Sequence, residues 1–279
     1  MSERQASSLW LPTNEREVHF DVPRLGVLEE EWQHRNPNRT LIELDGAIYG
    51  VAERPDTIPK AIVSLDLCEV VRETGLALLE MRGGTLDDMV ADGTTGEMDY
   101  GSTLNGWHND IAQPNRQLYI QEFMHHDMVR PVKYRGAIRA LMQKWRDENV
   151  YVIANTSTLP GCELSTIRFL NEHYPDCFRG ILLPRNHDGK GKVTKAMALQ
   201  ATTAAIQYNL QASDTNIPTF AIDDAMHHAT DLDTVGTTVL VPAYAWNTGF
   251  DNHATIHRIA QNLGTVDSFI ALDQALSAT

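Results

Sequence analysis

The sequence predicts an α/β protein built on a doubly wound parallel sheet, with a β-hairpin extension at its N-terminus and an inserted cap. Three observations carry this expectation. Short apolar runs recur along most of the chain, helical periods alternate with them, and one long polar interval breaks the alternation.

Five runs read as strands: Ala61–Leu65, Val150–Ala154, Gly180–Leu183, Thr219–Ile222 and Thr238–Val241. Each is nearly continuous in apolar residues, as suits a parallel sheet covered on both faces. Between them, 136–147 places Ile138, Leu141 and Trp145 on one helical face, and 163–173 does the same with Leu164, Ile167 and Leu170. Strand and helix in alternation give crossover connections and hence a doubly wound sheet. The interval 84–132 is rich in Gly, Asp, Asn and Thr and has no strand of the core type. It reads as an insertion after the first strand and its helix, a position from which it can cover the carboxyl ends of the strands. Upstream, two apolar runs flank Asp45-Gly46, a pair suited to a tight turn whose central residues both need positive φ. A hairpin over 40–52 is therefore expected within an extension spanning 1–57, followed by a core of 58–83 and 133–279 around the cap.

Composition narrows the function. The chain has 279 residues, 42% hydrophobic and 22% charged, enough for a full core. A net charge of -14 disfavours a nucleic acid polymer as partner. No window approaches the roughly 18 apolar residues of a membrane span, so no membrane is expected as a partner. Met-Ser-Glu-Arg-Gln lacks the basic start and apolar stretch of a signal peptide, so a cytoplasmic location is expected. Cys68, Cys162 and Cys177 lack zinc-site spacing and are too few for a disulfide framework, which predicts free thiols.

Polar residues collect just beyond the strands: Asp66 after the first, Asn155-Thr156-Ser157 after the second and Asp223-Asp224 after the fourth. Lys195 opens the helix between the third and fourth. Carboxylates gathered in one place repel one another, and a hard divalent cation with oxygen ligands, usually Mg²⁺, relieves this. A neighbouring lysine would compensate charge and hold a phosphoryl oxygen.

At these residues the chain resembles the haloacid dehalogenase-like hydrolases over about 58–245. Phe220-Ala-Ile-Asp-Asp-Ala225 is similar to the family's metal-binding acidic motif, and Val150-Tyr-Val-Ile-Ala-Asn-Thr-Ser157 to its Thr/Ser motif. The distance from Asp66 to Thr156 leaves room for a cap, as in the family's nucleotidases. Val241-Pro-Ala-Tyr-Ala-Trp-Asn247 is loosely similar to the end of that branch. The resemblance implies a Mg²⁺-dependent phosphohydrolase working through an aspartyl-phosphate on a small phosphorylated metabolite, a nucleoside monophosphate being the best single choice. It implies Asp66 as nucleophile and Thr156 as a phosphoryl donor, with Asn155, Ser157 and Lys192 contacting substrate. Lys195 would hold the phosphoryl group, with Lys190 and Lys192 competing for that role because Gly189-Lys-Gly-Lys-Val-Thr-Lys195 leaves the register open. Asp66, Asp223, Asp224 and the backbone carbonyl of Cys68 would form the metal shell.

The first motif departs from the family pattern. Cys68 stands where the family has its proton-handling aspartate, and a thiol of pKa near ~8.5 is a poor replacement. Glu69 replaces the following glycine. The alternative is a catalytically impaired relative that binds a nucleotide or a protein partner in the same cleft and uses the hairpin for assembly, in the manner of a homo-oligomer. A rival first motif, Leu41-Ile-Glu-Leu-Asp-Gly-Ala47, would make Glu43 the nucleophile, but its continuation as a strand favours Asp66.

Plainer roles exist for several of these residues. Asp223-Asp224 could cap a helix and Thr156-Ser157 a turn. The pairs His125-His126 and His227-His228 lack the spacing that aims two imidazoles at one metal. Trp107, His108 and Phe123 could line a pocket or fill the insertion's own core, and Glu29-Glu30-Glu31 reads as a solvated face.

Overall fold

The computed structural model describes residues 23–75, 77, 129–158, 161–185, 192–244, 247 and 253–279. In chain order these form α1 (Leu25–Gln33), β1 (Thr40–Leu44), β2 (Ala47–Val51), β3 (Ala61–Leu65), β4 (Arg72–Glu73), β5 (Arg130–Pro131), α2 (Arg135–Asp147) and β6 (Val150–Asn155). There follow α3 (Glu163–His173), β7 (Gly180–Pro184), α4 (Lys195–Asn209), β8 (Thr219–Ile222), α5 (Met226–Thr234), β9 (Thr238–Pro242), β10 (Ile256–Ile259) and α6 (Val266–Ser277). All five strands expected from apolar continuity are present.

The main sheet has the order β1-β2-β7-β6-β3-β8-β9-β10. From β7 to β10 every neighbour is parallel. Every residue of β3, β6 and β7 is buried, as their unbroken apolar runs require. Side-chain alternation divides the core between two faces. Val63, Leu65 and Val152 pack with Ile138, Met142 and Trp145 of α2, Ile167 of α3, and Phe269 and Leu272 of α6. On the other face Ile62, Ile153, Ala221 and Val239 meet Leu199 and Ile206 of α4, and Leu232 of α5. The α2 face is centred on Met142, while Leu141 is only partly buried.

The chain steps from β3 to β6 to β7 in one direction and from β8 to β9 to β10 in the other. Strand order therefore reverses between β3 and β8, which opens a crevice at their carboxyl ends.

Two features shape the periphery. The Asp45-Gly46 turn joins β1 to β2 with φ of 53° and 81°, the doubly positive geometry that the dipeptide predicts. The hairpin does not stand apart from the core, because β2 pairs antiparallel with β7 and so adds two strands to the sheet. Near the crevice, β4 pairs with β5 through Arg72↔Pro131 and Glu73↔Arg130, reinforced by an Arg130–Glu73 ion pair. Both ends of the stretch between Glu73 and Arg130 are thereby held side by side. The body of the expected cap, with Trp107, His108, Phe123, His125 and His126, lies outside the described residues.

Gly50 shows how tightly the hairpin is seated. A Cβ there would lie 2.3 Å from Ile181 Cγ2 and 2.6 Å from Leu41 Cδ2, so a side chain would force β2 away from the core. Gly50→Ala is expected to lower stability by about 1–3 kcal/mol, measured by urea denaturation. The unfolding should remain one cooperative transition. A separate early transition from the hairpin alone would show that β1 and β2 are not integral to the sheet.

Candidate functional site

Parallel pairing brings the carboxylates together. Leu65 is registered with Ile222, and Asp66 N donates to Ile222 O at 2.9 Å, continuing the β3–β8 ladder by one residue. Asp223 N does the same to Leu240 O at 3.3 Å, on the β9 side. Asp66 and Asp223 thus end adjacent strands, which lie about 4.8 Å apart in a sheet, and Asp224 follows. All three are buried, and one carboxylate oxygen from each lies within 4.8 Å of the others.

Lys195 enters this group from the first turn of α4. Thr194 Oγ1 accepts from Met197 N at 3.2 Å, which caps the helix and sets its start so that Lys195 points inward. Its Nζ donates to Asp223 Oδ2 at 2.7 Å and lies 2.9 Å from Asp66 Oδ1. The Asp66 contact is an ion pair, and Asp66 Oδ1 has no hydrogen bond among the described residues. Burial works to lower the lysine's pKa, yet Asp223 and Asp66 outweigh it and hold the ammonium above its ordinary value.

One ammonium does not balance three carboxylates. Asp223 is pushed up to about 6, first by burial and then by Asp66, despite the opposing pull of Lys195. Both partners are thus raised, Lys195 by the contact and Asp223 in spite of it, because burial and the second carboxylate dominate at Asp223. Asp224 is raised well above the carboxylate range by burial, Asp66 and Asp223. A buried oxygen without a donor and three carboxylates crowded against charge repulsion suit a hard divalent cation. The 4.8 Å spread is what oxygens at about 2.1–2.5 Å from one ion would span. Asp66, Asp223 and Asp224 are the residues that could hold it.

The other residues singled out from the sequence lie around this group. Asn155 is fully buried, and its Nδ2 donates to Ser64 Oγ and Lys195 O, each at 3.0 Å. It ties the start of α4 to β3 through its Nδ2. Thr156 follows β6 directly and is buried, with its N donating to Leu182 O at 3.1 Å. Ser157 Oγ lies 3.3 Å from His228 Nε2, so a side chain beyond β6 meets one in the first turn of α5. Because β6 and β8 flank β3, this contact bridges the two sides of the crevice. His228 also lies against His227, with ring centroids 3.7 Å apart. Lys192 is exposed, and among the described lysines it is Lys195 that reaches the carboxylates. Lys190 lies outside the described residues.

Cys68 and Glu69 are both committed elsewhere. The Cys68 thiol accepts from Arg72 Nη2 at 3.3 Å and from Thr74 Oγ1 at 3.4 Å. Although the residue is only half-buried, burial of its sulfur pushes the thiol up from its ordinary value. No backbone donor among the described residues takes the Cys68 carbonyl, the atom expected in a metal shell. Glu69 has a left-handed backbone (φ 55°), and its Oε1 accepts from Thr74 N at 2.9 Å and Gly75 N at 2.5 Å. Its carboxylate holds a turn.

A buttress not foreseen from the sequence stands behind Asp224. Asn247, in the connection after β9, bonds the Asp224 carbonyl, and Tyr244 OH donates to Glu69 O at 2.9 Å. Local sequence gives no signal for these contacts, since each partner is remote along the chain.

No protein-family model and no curated protein sequence matches the chain. Among solved structures, it is similar to one assigned as a phosphoglycolate phosphatase from Lactobacillus plantarum, with TM-score 0.46, 11% identity, and 78% of this chain and 100% of that one covered. It is also similar to a β-phosphoglucomutase from Clostridium difficile, with TM-score 0.42, 12% identity and coverages of 79% and 98%. A haloacid dehalogenase family hydrolase from Deinococcus radiodurans R1, with bound phosphate and sodium, gives TM-score 0.43, 14% identity and coverages of 78% and 97%.

The buried Glu69 carboxyl gives a pH test. Burial raises it from 4.5 to about 7, so between those values the folded protein binds more protons than the unfolded chain. Its contribution to stability is then present at low pH and is lost as pH rises through about 7. In metal-free buffer, Glu69→Gln should gain on the native protein progressively from pH 5 to 8, by up to about 3 kcal/mol. Parallel melting-temperature profiles for the two proteins would refute this.

Proposed function

We propose that the chain is a haloacid dehalogenase-like phosphohydrolase that cleaves a small phosphomonoester. The observation that carries this is the buried group of Asp66, Asp223 and Asp224 with Lys195 Nζ at 2.9 and 2.7 Å, at the point where strand order reverses. The order of these residues along the chain, and the motifs that contain them, support the same reading.

In this reading Asp66 attacks the phosphorus and the ester oxygen departs, leaving an aspartyl-phosphate that water then hydrolyses. Lys195 neutralises charge on the phosphoryl oxygens, and its buried, charged state suits that task. Thr156, directly beyond β6, donates to a phosphoryl oxygen. Mg²⁺ held by Asp66, Asp223 and Asp224 would supply Lewis-acid stabilisation of the transferring group. A nucleoside monophosphate is the proposed substrate, on the strength of the nucleotidase-like motif layout alone.

A second reading draws on the Cys68 contacts. A thiol held by Arg72 and Thr74 and raised by burial does not replace a carboxyl that must give and take a proton. Loss of such help costs about 10²–10⁴ in rate. The chain would then be an impaired relative that binds a nucleotide or protein partner through the same cleft.

Purified protein assayed with a phosphomonoester panel and Mg²⁺ separates the two. Measurable turnover that Asp66→Asn abolishes supports the enzyme. Absent turnover that Cys68→Asp restores by 10²-fold or more supports the impaired relative. Turnover unaffected by Asp66→Asn removes Asp66 as the nucleophile.

A further inference from the structure

Asp224 lies one residue past the last ladder bond of β8, so the sheet no longer fixes its main chain. Asn247 supplies what the sheet does not. The side chain is fully buried, and its Nδ2 donates to Asp224 O at 3.1 Å and to Pro242 O at 2.8 Å. Its Oδ1 accepts from Tyr244 N and from Arg258 Nε, both at 3.0 Å. Two donors and two lone pairs are the whole capacity of a primary amide, and all are used. Arg258 Nη2 in turn donates to Tyr244 O at 2.7 Å, and Tyr244 OH reaches Glu69 O, beside the end of β3. One neutral side chain thus links the Asp224 carbonyl to the end of β9, to β10 and to the loop after Asp66.

Neutrality matters in this place. Mutual repulsion drives the three carboxylates apart, and a charged clamp on Asp224 would change the field that a cation has to sense. An amide holding the main-chain carbonyl restrains Asp224 without altering that field. We propose that Asn247 is a positioning residue that holds Asp224 in register with Asp66 and Asp223, and so sets the affinity of the three carboxylates for a divalent cation. The inference rests on the metal-binding reading given above.

Binding of Mn²⁺ to the full chain, followed by calorimetric titration and electron paramagnetic resonance, tests it without reference to turnover. Asn247→Asp keeps acceptors for Tyr244 and Arg258 but loses the donor to Asp224 O, while Asn247→Ala removes the clamp entirely. Both are expected to weaken Mn²⁺ binding by roughly 10–100-fold, the scale seen when groups behind a metal ligand are lost, in protein that circular dichroism shows to be folded. Asp224→Asn provides the reference loss. Unchanged Mn²⁺ affinity in both Asn247 variants, beside weakened binding in Asp224→Asn, overturns the inference and leaves the metal reading standing. No Mn²⁺ binding by the native protein overturns both. Failure of both Asn247 variants to fold also overturns the inference, because the amide is then structural.

Discussion

Among the described residues, three acidic side chains share a buried space with one ammonium, and that imbalance constrains what is placed around them. Asp66 and Asp223 cannot move apart, because each is tied by its main-chain N–H to the neighbouring strand. Lys195 cannot withdraw, because Asn155 holds its carbonyl and Thr194 fixes the start of its helix. The fold therefore holds these groups where burial and their neighbours raise Asp223 and Asp224 above the ordinary carboxylate range. Shifts of this kind cluster at functional sites.

The strands and their terminal carboxylates were legible because they depend on local facts. A continuous apolar run such as Ala61–Leu65 dictates a strand covered on both faces, and the residue after it has to be at the sheet's end. The Asp45-Gly46 turn was legible for the same reason, since positive φ is a property of single residues. Choosing among Lys190, Lys192 and Lys195 was harder. The answer depends on where α4 starts, which Thr194 decides by capping, and a cap signal is weak beside a run of glycines and lysines.

Contacts between distant residues could not be read at all. Asn155 ends β6, and nothing near it in sequence announces that its Nδ2 bonds Ser64 and the Lys195 carbonyl. Asn247 bonds a carbonyl well upstream of it, and nothing nearby in sequence marks it. The edge strand β10 was likewise unforeseen, since Ile256–Ile259 places His257 and Arg258 between its two isoleucines and lacks the continuous apolar run of the inner strands.

The short β4–β5 pair has a consequence for how such a protein can change over time. Glu73 and Arg130, far apart along the chain, are held together by a two-residue ladder and an ion pair. Closing a loop becomes costlier only slowly with its length, by about 0.6 kcal/mol for each doubling. The stretch between these two residues can therefore be lengthened or shortened at small thermodynamic expense while the main sheet keeps its register. The two-residue seam thus fixes where the ends of that stretch lie, whatever its length.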